Sequence, residues 1–345
     1  MRLPRHKWLS IHRRVLEATL ILVVVTVGFA RDAEAERKNG FDLDGSQVPA
    51  RQILRGGPPR DGIPSLDNPS FISPRQASFL KATDRILGVV INGTARAYPI
   101  RILNYHEIVN DRIGSTRFVV TYCPLCGSGV VFDATVAGRR LEFGVSGLLY
   151  NSDILLYDRK TKSLWSQLKR EAITGPMRGE RLEMIPVTHT SWKDWHERYP
   201  ETQVLSTATG YSRNYQVNPY PGYSNSGHIY FPVNEEDDRY PRKTIVMGIE
   251  IDHQFKAYPF VELENSPRRF NDSFMGQSLI IVFDKEHQTG RVLDDAGREL
   301  PTTTAFWFAW YAFHPGTDVY VASQANGSTE KRSGETMSLV LICAP

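Results

Sequence analysis

Apolar positions along this chain fall in short β-rich runs separated by turn residues, not in long helical stripes. VVINGTARAY holds two such runs around Asn92-Gly93, the signature of a two-residue type I′ hairpin. RFVVTY, GVVFD, RLEF, DILLYD, TIVMGIEI, LIIVFD and LVLI continue the style. Helical patterning is confined to SWKDWHERYP, which ends at a proline, and AFWFAWYAF, with one further short helix expected in SPRQASFLKA, capped by Ser73 with Pro74 at its first position. The pattern predicts a mainly β protein, α+β with few short helices.

The pattern also repeats. GVVINGTARAYPIRIL (Gly88–Leu103) returns as GIEIDHQFKAYPFVEL (Gly248–Leu263), with Gly, Ile, Ala-Tyr-Pro and Leu coinciding. Asn110-Asp111 meets Asn271-Asp272, and Trp192, Trp195, Pro200, Thr202 and Val204 meet Trp307, Trp310, Pro315, Thr317 and Val319 with the same spacings. Ordered agreement at three places predicts an internal duplication: two pseudo-symmetric β units packed as one globule. The expected organisation is a leader over 1–35, an extended Pro/Gly-rich lead-in over 36–75, a first unit over 76–210 with an insertion at 141–186, and a second, degenerate unit over 211–345.

Charge adds a location. Residues 1–35 carry Arg2, Arg5, Lys7, Arg13, Arg14 and Arg31 against Glu17, Asp32 and Glu34, which accounts for the whole formal charge of +3. A neutral body without a basic run argues against nucleic acid as a partner. The basic start, the apolar run Ala18–Ala30 and the small residues after it read as a secretory signal peptide or an N-terminal anchor. Either places the body outside the cytoplasm, in the periplasm or secreted, with any membrane contact made through that anchor.

Chemistry concentrates at TYCPLCGSG, which holds two of the three cysteines, Cys123 and Cys126. A Cys-Pro-x-Cys-Gly turn between strands is similar to the metal-binding knuckle of rubredoxins and zinc ribbons, and Gly127 lets the chain reverse there. With only Cys343 left over, a tetrahedral Cys₄ zinc site within one chain is excluded. Two cysteines with His106 suit copper(I), and zinc suits them with an added carboxylate. The same spacing resembles a glutaredoxin dithiol, but the segment that follows reads as turn and strand, not as the helix that would lower a thiol pKa. A buried structural pair is the fourth option.

NYHEIVND supplies His106, as a ligand or as a base toward Cys123, with Glu107 orienting it. Asp153, Asp158, Arg159, Trp165 and Gln167 in the insertion are candidates for a pocket wall, against the plainer reading of strand-face pairs and core aromatics. Offset by 161 residues, Cys123 and Cys126 fall on Asp284 and His287 of DKEHQTG, read as a solvated hairpin tip with a site shared between the units as the alternative.

GGPPRDGIPSLDNP, ARAYPIRILNYHEIVND, VTYCPLCGSGVVFD, FGVSGLLYNSDILLYDRKTKSLWSQ and FWFAWYAFHPGTD together give the chain a resemblance to a bacterial family known as a domain of unknown function, DUF3179. The resemblance implies an extracytoplasmic protein and centres the site on Cys123 with His106, leaving Cys126 accessory. It implies no reaction. The expected function is a Cys/His-centred site binding copper(I), the first candidate, or zinc, or performing thiol chemistry. The alternatives are an enzyme with Cys123 as nucleophile and a non-catalytic binding module stapled by its cysteines.

Overall fold

The structure, a computed structural model, describes residues 36–322. The leader, Cys343 and the LVLI strand lie outside them. Within them the protein is mainly β, as the patterning predicts, with four short helices: α1 (Ile100–His106), α2 (Trp192–Arg198), α3 (Phe260–Leu263) and α4 (Trp307–Phe313). The α1 helix, absent from the sequence expectation, is a short apolar turn begun by Pro99 and stopped at Glu107. The helix expected from Ser73 shrinks to a single 3₁₀ turn, Pro74–Gln76, with Ser73 and Gln76 forming a capping box. Among the described residues, no helix is long and apolar enough to cross a membrane.

Both hairpins expected from the repeat are present. Arg85–Ile91 pairs with Thr94–Pro99 around Asn92 and Gly93, both at positive φ. Ile245–Ile251 pairs with Gln254–Pro259. Local contacts recur as well. Gly88 lies under Trp195, whose indole N–H donates to Thr202 (2.9 Å), and Gly248 lies under Trp310, whose indole N–H donates to Thr317 (3.1 Å). Tyr98 donates to Asp111 (2.5 Å) and Tyr258 to Asp272 (2.9 Å).

The two matching stretches of chain, here called units, exchange neighbours. The meander Ile108–Ile113, Thr116–Cys123, Ser128–Asp133 sits in an eight-stranded sheet that continues, through the pairing of Thr304 with Gly129, into Thr303–Phe306 and the second hairpin. The matching meander, Arg269–Phe274, Gln277–Asp284, Thr289–Leu293, packs against Val187–Ser191 of the first unit, where Thr289 donates to Thr190 (2.5 Å).

The segment expected as a mere lead-in is part of the core. Phe41, Leu43, Val48 and Ile53 are buried with Leu148, Leu155 and Leu164, and Leu54–Arg55 forms the edge of the five-stranded sheet built by the insertion. Apolar residues scattered among Pro and Gly gave no periodicity, yet each has a place to be buried.

An added Cβ at Gly88 would stand 2.3 Å from the Trp195 ring, so the ring or the hairpin must move. Gly88→Ala is therefore expected to lower unfolding free energy by about 1–3 kcal/mol, the usual cost of overpacking. Val90→Ala, at an exposed site on the same strand, should change it by less than about 0.5 kcal/mol. Urea melts showing equal effects would contradict this packing.

Candidate metal centre

The strands Thr116–Cys123 and Ser128–Asp133 are paired through to Cys123 and Ser128, and four residues, Pro124–Gly127, close the turn. Gly127 has φ +61°, and a Cβ there would press on the Phe306 ring at 3.0 Å. Positive φ and a close approach both select glycine. The turn is pinned from both sides. Phe306 N–H donates to the Cys126 carbonyl (2.8 Å). Behind it, the buried Gln167 accepts from Ser128 Oγ (2.6 Å) and donates to Thr121 Oγ1 (2.8 Å), clamping the two strands beneath the turn.

A second hairpin completes the cluster. Phe143–Tyr150 and Asp153–Asp158 are joined by Asn151 and Ser152, both at positive φ. This turn aims the Ser152 carbonyl at both sulfurs (3.4 Å to Cys126, 3.8 Å to Cys123) and brings up Asp153. The ligand atoms of Cys123, Cys126 and Asp153 all lie within 4.8 Å of one another, and all three residues are 0% exposed. Both cysteines are free thiols. Asp153 Oδ2 accepts from Leu168 N–H (3.0 Å), while its buried Oδ1 has no hydrogen-bond partner among the described residues.

Burial controls the protonation of the cluster. It pushes both thiols above their ordinary value, Cys126 the further. It pushes Asp153 up to about 7, held back by the Leu168 N–H. Glu107, buried and near Asp153, is pushed up to about 8 by desolvation first and by that neighbouring carboxylate second. Glu107 also ends α1 at φ +58°, and its carbonyl accepts from Tyr122 N–H (2.8 Å), tying the helix end to the strand that delivers Cys123.

One cation faces the sulfurs. The Lys243 ammonium is buried against the rings of Tyr223 (3.1 Å), Phe306 (4.8 Å) and Phe308 (5.0 Å), with no hydrogen-bond partner. Burial lowers its pKa to about 8, while Cys126 and Cys123 pull it back up. Nothing in the polar segment around Lys243 marks it in the sequence.

Several expectations are corrected here. His106 does not reach the sulfurs: its Nδ1 lies 2.8 Å from the Pro64 carbonyl and its Nε2 2.6 Å from the Tyr215 hydroxyl, so both ring nitrogens are engaged. The third ligand atom comes from Asp153 instead. Glu107, expected to orient His106, sits in the electrostatic field of Asp153.

Asp158 is turned to its own loop, accepting from Thr161 (2.5 and 2.6 Å) and from Trp165 Nε1 (3.1 Å), and Trp165 packs edge-on against Phe143 in the core. Arg159 pairs with Asp67 (2.8 Å). Asp284 and His287 do not join the sulfurs: Asp284 accepts from His287 N–H, and His287 Nδ1 meets Ser191 Oγ (2.9 Å).

A cavity of about 590 Å³ opens beside the sulfur turn. Tyr122, Pro124 and Gly127 of the turn form one wall, and Glu286, His287 and Gln288 of the matching turn form another. The insertion contributes no wall to it, contrary to expectation.

The family described as "Protein of unknown function (DUF3179)" matches residues 60–317, so the chain belongs to that family. No curated protein and no solved structure matches the chain.

The raised carboxyls fix a pH dependence. Both folded-state values lie above the ordinary carboxyl range, so their stabilising contribution is complete below about pH 4 and is lost as pH rises through 7 to 8. Chelator-treated protein should lose urea resistance from pH 5 to pH 8, by at most about 1.4 kcal/mol per pH unit for each group. Glu107→Gln should flatten part of that fall. An unchanged slope in the variant would show that Glu107 is not the buried acid described.

Proposed function

We propose that the Cys123–Cys126–Asp153 cluster binds a soft or borderline metal ion, with zinc ahead of copper. The observation that carries this reading is a buried carboxylate oxygen, Asp153 Oδ1, left without a partner beside two thiols. A buried polar atom of this kind costs about 1–3 kcal/mol unless something satisfies it, and a cation bound to both sulfurs would do so. Copper(I) favours sulfur alone, whereas two thiolates and one carboxylate form a donor set that zinc accepts, with one position open. The charges support the same choice: three anionic ligands, a divalent ion and the Lys243 ammonium sum to zero, and a buried site is stable only when nearly neutral.

Because the thiols are protonated in the metal-free state, loading must expel protons. About two come from the sulfurs and part of a third from Asp153 near pH 7. What the ion would supply is Lewis acidity or a structural tie; the protein supplies a turn already fixed by Gln167 and Phe306.

A nucleophilic Cys123 is the weaker reading. Its thiol is fully buried and pushed above its ordinary pKa, the reverse of an activated thiol. The extracytoplasmic location stays part of the proposal, supported by the basic start and the apolar run Ala18–Ala30. So does the duplication, supported by the recurring glycine–tryptophan and tyrosine–aspartate contacts.

Elemental analysis and calorimetry test the reading. Protein purified without an affinity metal should carry close to one zinc per chain, and stripped protein should rebind zinc with release of about two protons. Cys123→Ser should abolish binding, and Asp153→Asn should weaken it at least about tenfold. Stripped protein that takes up neither zinc nor copper(I) would refute the proposal.

Thiol accessibility gives a separate check. Iodoacetamide at pH 7 should modify Cys123 and Cys126 at least about a hundredfold more slowly in native metal-free protein than in urea, since both are buried and protonated. Labelling at the unfolded rate would restore the nucleophile reading.

A further inference from the structure

The cavity beside the sulfur turn holds a feature that the metal reading does not use. Arg85 extends into its wall from the first hairpin and is largely buried, with no carboxylate in ion-pair contact among the described residues. Its guanidinium donates to three backbone carbonyls, those of His287 (2.5 Å), His189 (2.8 Å) and Gln288 (3.0 Å). Three of five N–H groups are thus engaged, and two remain. The carbonyls fix the fork without neutralising it. A buried cation without a directly paired anion is costly, and the two donors left, Nε–H and one N–H of Nη1, lie on different edges of the guanidinium, so each meets a carboxylate oxygen singly.

The surroundings agree. His189 also lines the cavity, and its buried Nδ1 has no partner. Ser191 and His287 meet on the same wall. The one acidic lining side chain, Glu286, is already paired with Lys193 (2.9 Å). Four aromatic side chains, Tyr122, Tyr220, Tyr223 and Phe306, stand in the lining among small, aliphatic and polar ones, and a volume near 590 Å³ falls in the range that encloses a small organic molecule.

We infer that this cavity is a binding site for an aromatic or similarly apolar monocarboxylate, its carboxylate on Arg85 and its body among the tyrosines. Asp194 acts on Arg85 without an ion-pair contact and is itself paired with Arg198 (2.6 Å), so one further negative charge suits the site, which favours a carboxylate over a phosphate dianion. The inference does not depend on the metal. It makes the two matching turns opposite walls of one ligand site.

The test uses 2-naphthoate and its uncharged isostere 2-naphthamide, titrated calorimetrically into the full chain after chelator treatment and again with zinc present. The wild type should bind one naphthoate per chain, about ten- to a hundredfold more tightly than the amide, in both states. Arg85→Met should bring the ratio near one. Should Arg85→Met fail to fold, as a thermal melt would show, Arg85→Lys keeps the charge and loses the fork, and the ratio should fall at least about threefold. No naphthoate binding, equal binding of acid and amide by the wild type, or a ratio unmoved by either substitution would overturn the inference. Because the chelated protein is measured separately, loss of zinc binding and loss of carboxylate binding are distinguishable.

Discussion

Exclusion of water from the sulfur turn is the constraint on which the rest of the site depends. Cys123, Cys126 and Asp153 are all fully buried, so the resting thiols hold their protons and Asp153 holds its proton to higher pH than an ordinary carboxyl. The same desolvation raises Glu107 and leaves the Lys243 ammonium against aromatic faces, with no hydrogen-bond partner among the described residues. The Lys243 ammonium is favoured only if the sulfurs carry negative charge, whereas Asp153 and Glu107 oppose that charge when ionised. The proposed metal ion would supply the condition for that charge.

Rigidity comes from hydrogen bonds that the sulfur chemistry does not touch. Gln167 holds the strands below the turn, the Phe306 amide holds the Cys126 carbonyl, and Glu107 ties the end of α1 to Tyr122. These contacts come from the insertion, from the second unit and from the preceding helix. The turn is therefore held in place by contacts other than the thiols.

Exchange of neighbours between the units creates the cavity. Each closing strand lies beside the other unit's meander, so the turns after Cys123 and after Asp284 face one space. The units differ in what the turns carry. The first has the thiols and points them away from the cavity, into the insertion. The second has Glu286, His287 and Gln288, and the carbonyls of His287 and Gln288 hold Arg85. The Cys123–Cys126–Asp153 cluster and the cavity with Arg85 then stand on opposite sides of one turn.

The sequence by itself determined the strands, the Asn92-Gly93 hairpin, the helices ending at Pro200 and before Pro315, and the importance of Cys-Pro-x-Cys-Gly, because each rests on local periodicity or turn chemistry. It also marked Asp153 and Gln167, though only as pocket candidates, since spacing along a strand does not reveal which face meets the sulfurs. Only the tertiary structure decided that His106 turns to Pro64 and Tyr215, that the 36–75 segment enters the core, and that Lys243 and Arg85 are buried cations. Those outcomes depend on pairing between strands far apart in the chain, where register and burial set a side chain's partners and no local pattern records them.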